Sequence, residues 1–255
     1  MNKSLNKSIR TKTKKFFGHF FGRGFSKLGG IFVAYHPDSH NTFDVHPEFE
    51  RLFPKFIAHN RRNNAGDITR LWSFILNIKQ VINEQIEGSF AELGVWRGNT
   101  AAILSDFAIG NGREVFLFDT YSGFADGDLT EIDVDKAAAM FNNTSLEMAR
   151  KVVGCNDKRC HLVKGHFPES ITPEIEEKTF AVISLDCDLY KPTKAGLEFF
   201  YPRMSRGGIF FIHDYSSHVW DGAKMAVDEF CATTGEFVVL MPDKSGSAFL
   251  RKTRS

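Results

Sequence analysis

The chain is poor in cysteine. Cys155, Cys160, Cys187 and Cys231 are its 4 cysteines, and no two of them form a Cys-x-x-Cys pair. That excludes a dense disulfide framework and points to reduced thiols, the ordinary state in a cytoplasmic protein. No apolar run approaches the ~20 residues that a membrane-spanning helix needs. Nor does either sign of charge dominate: Lys+Arg 32 against Asp+Glu 31 leaves a formal net charge of +1. Whole-chain electrostatics therefore give no reason to expect nucleic acid or a strongly acidic partner. A Gly-x-Gly-x-x-Gly turn after the first strand is also missing, which counts against a nicotinamide oxidoreductase. At the N-terminus there is no continuous apolar stretch followed by a small-residue cleavage site, so a secretory signal is not expected.

What is present begins with phenylalanine, 26 residues of it, much of it in strand-like runs. The 255 residues suffice for one large domain with a substantial core. Residues 1–66 differ in character from 67–255. Lys3, Lys7, Arg10, Lys12, Lys14, Lys15, Arg23 and Lys27 precede the first acid, Asp38, and Phe16, Phe17, Phe20, Phe21 and Phe25 interleave with them. This segment reads as a basic, aromatic arm followed by an irregular lid. It is expected to pack on a second subunit of a homo-oligomer or to fray, with peripheral contact to an anionic membrane surface as the other reading. His36, His40 and His46, with Asp38 and Asp44, have loose metal-like spacing, and a loop or substrate-side lid accounts for them better than a metal site does.

From Asp67 onward the pattern is regular. Asp67 looks like an N-cap, and Ile68, Leu71, Trp72, Ile75, Ile78, Ile82 and Ile86 follow at helical spacing until Gly88. Strands are then predicted over 90–93, 114–118, 160–163, 180–185 and 209–212. Helices are predicted over 100–107, 135–152, 193–204 (ended by Gly207-Gly208) and 222–233, with a helical turn after Pro168. Strands 237–241 and 247–250 flank a hairpin turn at 242–246. Near-continuous apolar strands alternating with helices imply a doubly wound α/β fold, a mostly parallel sheet covered on both faces and closed by an antiparallel hairpin strand.

Ligands of such sheets bind beyond the carboxyl ends of the strands. The turn Glu92-Leu93-Gly94-Val95-Trp96-Arg97-Gly98 joins the first strand to a helix start, and its glycines let backbone N–H groups approach a ligand. Glu92 disfavours a phosphate there and favours a cationic or hydroxyl-bearing ligand. Asp119 ends the second strand, where a carboxylate can bind a ribose diol. Asp186 and Asp188 follow the strand at 180–185, and His213 and Asp214 follow the strand at 209–212. Adjacent strands lie about 5 Å apart, so these side chains can converge on one ion. Oxygen ligands suit magnesium, while the imidazole shifts preference toward manganese, iron or zinc. The plainer reading makes Asp186 or Asp214 a helix cap or a partner for a surface cation. The loop 121–133 reads as a mobile lid, and His166, after Gly165, reads equally as a residue near the ligand and as a packing residue.

Several of these segments, taken in order, resemble one family. Glu-Leu-Gly-Val-Trp-Arg-Gly (92–98), Phe-Asp-Thr-Tyr-Ser-Gly-Phe (118–124), Leu-Asp-Cys-Asp-Leu-Tyr-Lys-Pro-Thr (185–193), Tyr-Pro-Arg-Met-Ser-Arg-Gly-Gly (201–208), His-Asp-Tyr (213–215) and Ala-Val-Asp-Glu-Phe (226–230) are similar to motifs of the macrocin O-methyltransferase family. The match runs over about residues 67 to 251. It implies a class I methyltransferase fold with a seven-stranded sheet, S-adenosylmethionine as cofactor, and metal-assisted methyl transfer to a hydroxyl of a sugar, glycosylated natural product or polysaccharide. It further implies that Glu92, Gly94 and Gly98 shape the methionine and sulfonium end of the pocket, that Asp119 holds the ribose, and that Ser122, Gly123 and Phe124 border the adenosine. Gly165 and Asp186 complete the cofactor set. Asp186, His213 and Asp214 would hold a divalent metal, magnesium or another ion that accepts His213, and Asp188 would be the general base. The departure is His213, where the family usually has Asp. The rival from another class is a non-catalytic protein that keeps the cofactor fold for binding or regulation.

Overall fold

The apolar runs pair into one seven-stranded sheet in the computed structural model, which describes residues 46–133, 140–217 and 219–254. Three helices precede the sheet: α1 His46–Phe56, α2 Arg61–Asn64 and α3 Ile68–Asn83. Then come β1 Ser89–Leu93, α4 Asn99–Gly110, β2 Val115–Asp119, a 3-10 turn at Asp126–Asp128, and α5 Leu146–Val153. The second half runs β3 Cys160–Lys164, α6 Pro173–Glu176, β4 Phe180–Leu185, α7 Tyr190–Arg203, β5 Met204–Ile212, α8 Asp221–Thr234, β6 Val238–Leu240 and β7 Ala248–Arg251. No helix among the described residues is long and apolar enough to cross a membrane.

The sheet order is β3-β2-β1-β4-β5-β7-β6. Strand β1 lies between β2 and β4, parallel to both, and only β7 runs against its neighbours. Sequence order reverses at β1, the switch point at which open α/β sheets bind ligands. Register then brings the rim together: Leu93 pairs with Phe118 and with Leu185, and Leu185 pairs with Ile212. The next residues along each strand, Gly94, Asp119, Asp186 and His213, therefore stand side by side.

Aromatic packing fills the space beneath. Phe90, Phe118, Phe180, Phe200 and Phe210 are all fully buried. Phe200 of α7 packs edge-on against Phe180, with centroids 5.1 Å apart and planes at 87°, and meets Phe118 at 6.0 Å. Such pairs add about 0.5–1.5 kcal/mol each beyond the area they bury. A core role thus accounts for much of the phenylalanine load.

Three expectations need correction. The helix expected over 135–152 starts only at Leu146 within the described residues, where the Ser145 hydroxyl caps it by accepting from Met148 N–H; residues 134–139 lie outside the described set. Asn143 and Thr144 bond instead to the Trp96 indole N–H and carbonyl, and residues of this type favour such local bonds over helix interiors. Gly207-Gly208 does not end α7: β5 begins immediately at Met204, and the two glycines sit inside it, where its pairing with β4 shifts register between Phe180 and Val182. Gly207 takes φ +85° there and donates to the Lys252 carbonyl. Asp67 makes no side-chain cap bond but accepts from the Lys244 N–H at 3.1 Å. The compact unit that carries the sheet begins at Pro47 and takes in α2. The basic arm and His36 and His40 lie outside the described residues.

Candidate cofactor cleft and acidic rim

Strand β1 can enter its turn only because Gly94 has no side chain. Its φ is +90°, and a Cβ there would lie 2.0 Å from the Asp186 carbonyl oxygen. Asp186 N–H donates to the Leu93 carbonyl and Gly94 N–H to that of Phe118, which locks the ends of β4, β1 and β2 together. Gly98, at φ +85°, precedes α4 as its N-cap. Between the glycines, Trp96 adopts φ +45° and directs its N–H to Asp119 Oδ2 at 2.7 Å, while Tyr121 N–H reaches Oδ1 at 2.5 Å. Burial raises the Asp119 carboxyl above the usual range, and these N–H groups oppose the rise.

A cleft with about 870 Å³ of empty space, part of it open solvent, lies over this turn. Gly94, Asp119, Gly123, Phe124, Gly165, Asp186 and Asp188 all line it, as does His166. The His166 imidazole bonds Asp128 at 2.8 Å and Glu169 at 2.6 Å, and the Asp128 bond leads the causes that raise its pKa. Glu92, Gly98, Ser122, His213 and Asp214 are not among the lining residues.

Glu92 lies behind the turn, fully buried, accepting from the Ser184 hydroxyl at 2.9 Å while its Oε2 has no hydrogen-bond partner. Burial foremost, then the nearby Asp186 carboxylate, push its pKa up from 4.5 to about 8. The folded state therefore keeps a proton between those values that the unfolded chain has released, so stability falls as pH rises through this window. The slope should reach about 1.4 kcal/mol per pH unit and vanish in Glu92→Gln. Denaturation curves at intervals from pH 5 to 8 check this, and parallel pH dependences for the two proteins would refute it.

Asp186, Asp188, His213 and Asp214 converge beyond β4 and β5: one potential ligand atom from each lies within 4.8 Å of all the others. Asp188 and Asp214 hold positive φ, 60° and 57°, a strained backbone that aspartate tolerates better than most residues. His213 Nδ1 stands 2.8 Å from Asp186 Oδ1 and also meets Asp214 Oδ2, while its buried Nε2 has no hydrogen-bond partner. Burial lowers the affinity of this ring for a proton, but the Asp186 and Asp214 carboxylates outweigh it and raise the pKa to about 10. For Asp186 the opposite balance holds: burial raises its pKa, and the His213 cation more than reverses that. Asp188 is raised well above the carboxylate range by burial and by the facing Asp214 and Asp186 carboxylates. It is no helix cap, since Leu189 precedes α7 and that end has no side-chain cap bond.

Sequence reasoning missed Asn60, Asn64 and Arg70, which form one wall of the cleft. A signal existed for the last of these. Arg70 is four residues before Phe74, on the buried face of α3, where an unpaired charge is costly. The glycine turn also grips the segment before α2: Asn99 Nδ2 donates to the carbonyls of Lys55 and Ala58, and the Arg97 guanidinium to that of His59.

Comparison with known proteins agrees with this geometry. The family model "Macrocin-O-methyltransferase (TylF)" matches residues 66–239. Demethyldecarbamoylnovobiocin O-methyltransferase of Streptomyces niveus is 28% identical over 176 residues, 65% of this chain and 66% of that protein. The chain spans 59–66% of the length of the curated relatives it matches. Among solved structures, the O-methyltransferase NovP superposes with a TM-score of 0.65 at 26% identity, covering 73% of this chain and 81% of NovP. The calicheamicin methyltransferase CalS11 gives 0.64 at 23% identity, over 86% of this chain and 95% of CalS11. The sheet is that of a class I methyltransferase, and the chain belongs to the macrocin O-methyltransferase family.

Proposed function

We propose that the protein transfers the methyl group of S-adenosylmethionine to a hydroxyl of a sugar or of a sugar-bearing small molecule or glycan. The observation that carries this reading is that Asp119, placed for a ribose, and Asp186 and Asp188, two members of the cluster with His213 and Asp214, line one cleft at the carboxyl ends of the strands. Demethyldecarbamoylnovobiocin O-methyltransferase is by name an O-methyltransferase, and a hydroxyl acceptor follows from that likeness.

The bound cofactor supplies an electrophilic methyl carbon on a sulfonium. The chain's own residues do the rest. Asp119 accepts from the ribose hydroxyls, Gly94 lets the backbone approach the methionine moiety, and Gly123, Phe124 and Gly165 border the adenosine. Asp188, which lines the cleft, would take the proton of the acceptor hydroxyl on its carboxylate. Burial and the facing Asp214 and Asp186 carboxylates raise its affinity for a proton. The cleft walls would orient the acceptor against the cofactor and exclude water from between them.

A divalent cation fits the cluster on the evidence of its donors: three carboxylates and an imidazole within 4.8 Å of one another, and a buried ring nitrogen without a partner. Asp186, His213 and Asp214 would hold it, and bound there it would lower the pKa of the acceptor hydroxyl. Because the His213 ring carries a proton up to about pH 10 while Asp186 and Asp214 flank it, ligation must displace that proton.

Calorimetry with S-adenosylhomocysteine tests the cofactor assignment. Asp119→Ala removes charged hydrogen bonds worth roughly 1.5–3 kcal/mol each, so affinity should fall by ~10- to 100-fold or more. An unchanged affinity would remove Asp119 from the site.

A further inference from the structure

We propose that Arg70 is the anion anchor of the cleft and binds the α-carboxylate of the cofactor's methionine moiety, an inference that rests on the S-adenosylmethionine reading above. Arg70 is only 5% exposed, yet it lines the cleft together with Gly94 and Asn64. A guanidinium offers five donors in a rigid fork, and burying it without filling them is costly. Here the fork is poorly filled. Nη2 donates to Asn64 Oδ1 at 2.9 Å, but Nη1 stands 3.9 Å from Asp186 Oδ2 and Nε stands 3.5 Å from Asp67 Oδ2 with no hydrogen bond. Neither acid closes on the cation that lies beside it. The ring of Phe56, 5.3 Å from the guanidinium carbon, backs the group and limits its movement.

The ligand chemistry follows from position. Asp119 ends β2 and Asp186 follows β4, on opposite sides of the β1 turn. With the ribose at Asp119, the amino-acid end of the cofactor extends past Gly94 toward Asp186, where Arg70 stands. That end carries a carboxylate, which the Asp186 carboxylate would repel and which a guanidinium binds through two parallel hydrogen bonds. Arg70 thus gives the otherwise acidic cleft the one feature a zwitterionic tail requires.

The test compares S-adenosylhomocysteine with its decarboxylated analogue, which lacks only the carboxylate, by calorimetry on the unmodified protein, Arg70→Met and Arg70→Lys. The unmodified protein should bind the carboxylate-bearing ligand ~10- to 100-fold more tightly than the analogue. Arg70→Met should erase most of that preference while leaving affinity for the analogue nearly unchanged, and Arg70→Lys should restore part of it. Equal weakening of both ligands in Arg70→Met would show a merely structural role and overturn the proposal, as would a preference that survives the substitution. Should Arg70→Met not fold, absence of a preference in the unmodified protein, or a preference undiminished in Arg70→Lys, overturns it. Failure of the unmodified protein to bind either ligand refutes the cofactor reading itself, an outcome distinct from the others.

Discussion

Asp188→Asn should lower turnover by about a hundredfold or more, with affinity for S-adenosylhomocysteine within about twofold of the unmodified protein. The substitution preserves shape and removes the proton acceptor. Asp188 is the buried carboxyl of the rim that faces two others, Asp186 and Asp214, and it is held at a positive φ of 60°. Asparagine also tolerates that backbone, so the fold should survive and the change should read as chemistry. If Asp188 only shaped the approach to α7, the amide would serve equally well. Steady-state kinetics across pH decide this: comparable turnover in the two proteins would assign the proton to another group.

Gly94→Ala should be the most damaging single methyl group in the molecule. An alanine at φ +90° is strained by about 1–2 kcal/mol, and its Cβ would have to share space with the Asp186 carbonyl oxygen 2.0 Å away. The end of β4 must shift to admit it, carrying Asp186 and Asp188 out of place. We expect a loss of at least ~3 kcal/mol in stability together with a more than tenfold loss of cofactor affinity. Gly235→Ala separates the two causes: its φ is +72°, but nothing lies within 4 Å of the added carbon. That variant should lose only about 1–2 kcal/mol by chemical denaturation. Similar losses in both would mean that the close approach at Gly94 has little importance.

Legibility in the sequence followed periodicity. Strands such as 90–93, 180–185 and 209–212 are apolar throughout because both faces of the sheet are covered, and such runs stand out. The acids at their ends were equally visible, since register alone aligns Asp119, Asp186 and His213. Where local chemistry competes with pattern, the reading failed. Asn143 and Thr144 look compatible with a longer helix, but their side chains are committed to Trp96. Gly207-Gly208 looks like a helix stop, but the glycines serve an irregularity inside β5. The N-terminal wall of the cleft was hidden for another reason. Asn60 and Asn64 sit in a segment whose composition suggests a loop, and that segment is held in place by residues distant in sequence, among them Asn99, which donates to the Lys55 and Ala58 carbonyls. The raised pKa of Asp188 is likewise a product of burial and of facing carboxylates, which no linear spacing reveals.

The most direct test of the account is methyl transfer itself. Purified protein is incubated with S-adenosylmethionine carrying a labelled methyl group, a panel of sugar and glycoside acceptors, and magnesium or manganese, with a parallel series in excess chelator. The account predicts label in an ether linkage on an acceptor hydroxyl, formation of S-adenosylhomocysteine in equal amount, and loss of both under chelation. Transfer that persists undiminished in chelator would remove the metal from the mechanism. Tight cofactor binding with no label on any hydroxyl under any metal would contradict the central claim and leave a binding protein on a methyltransferase fold.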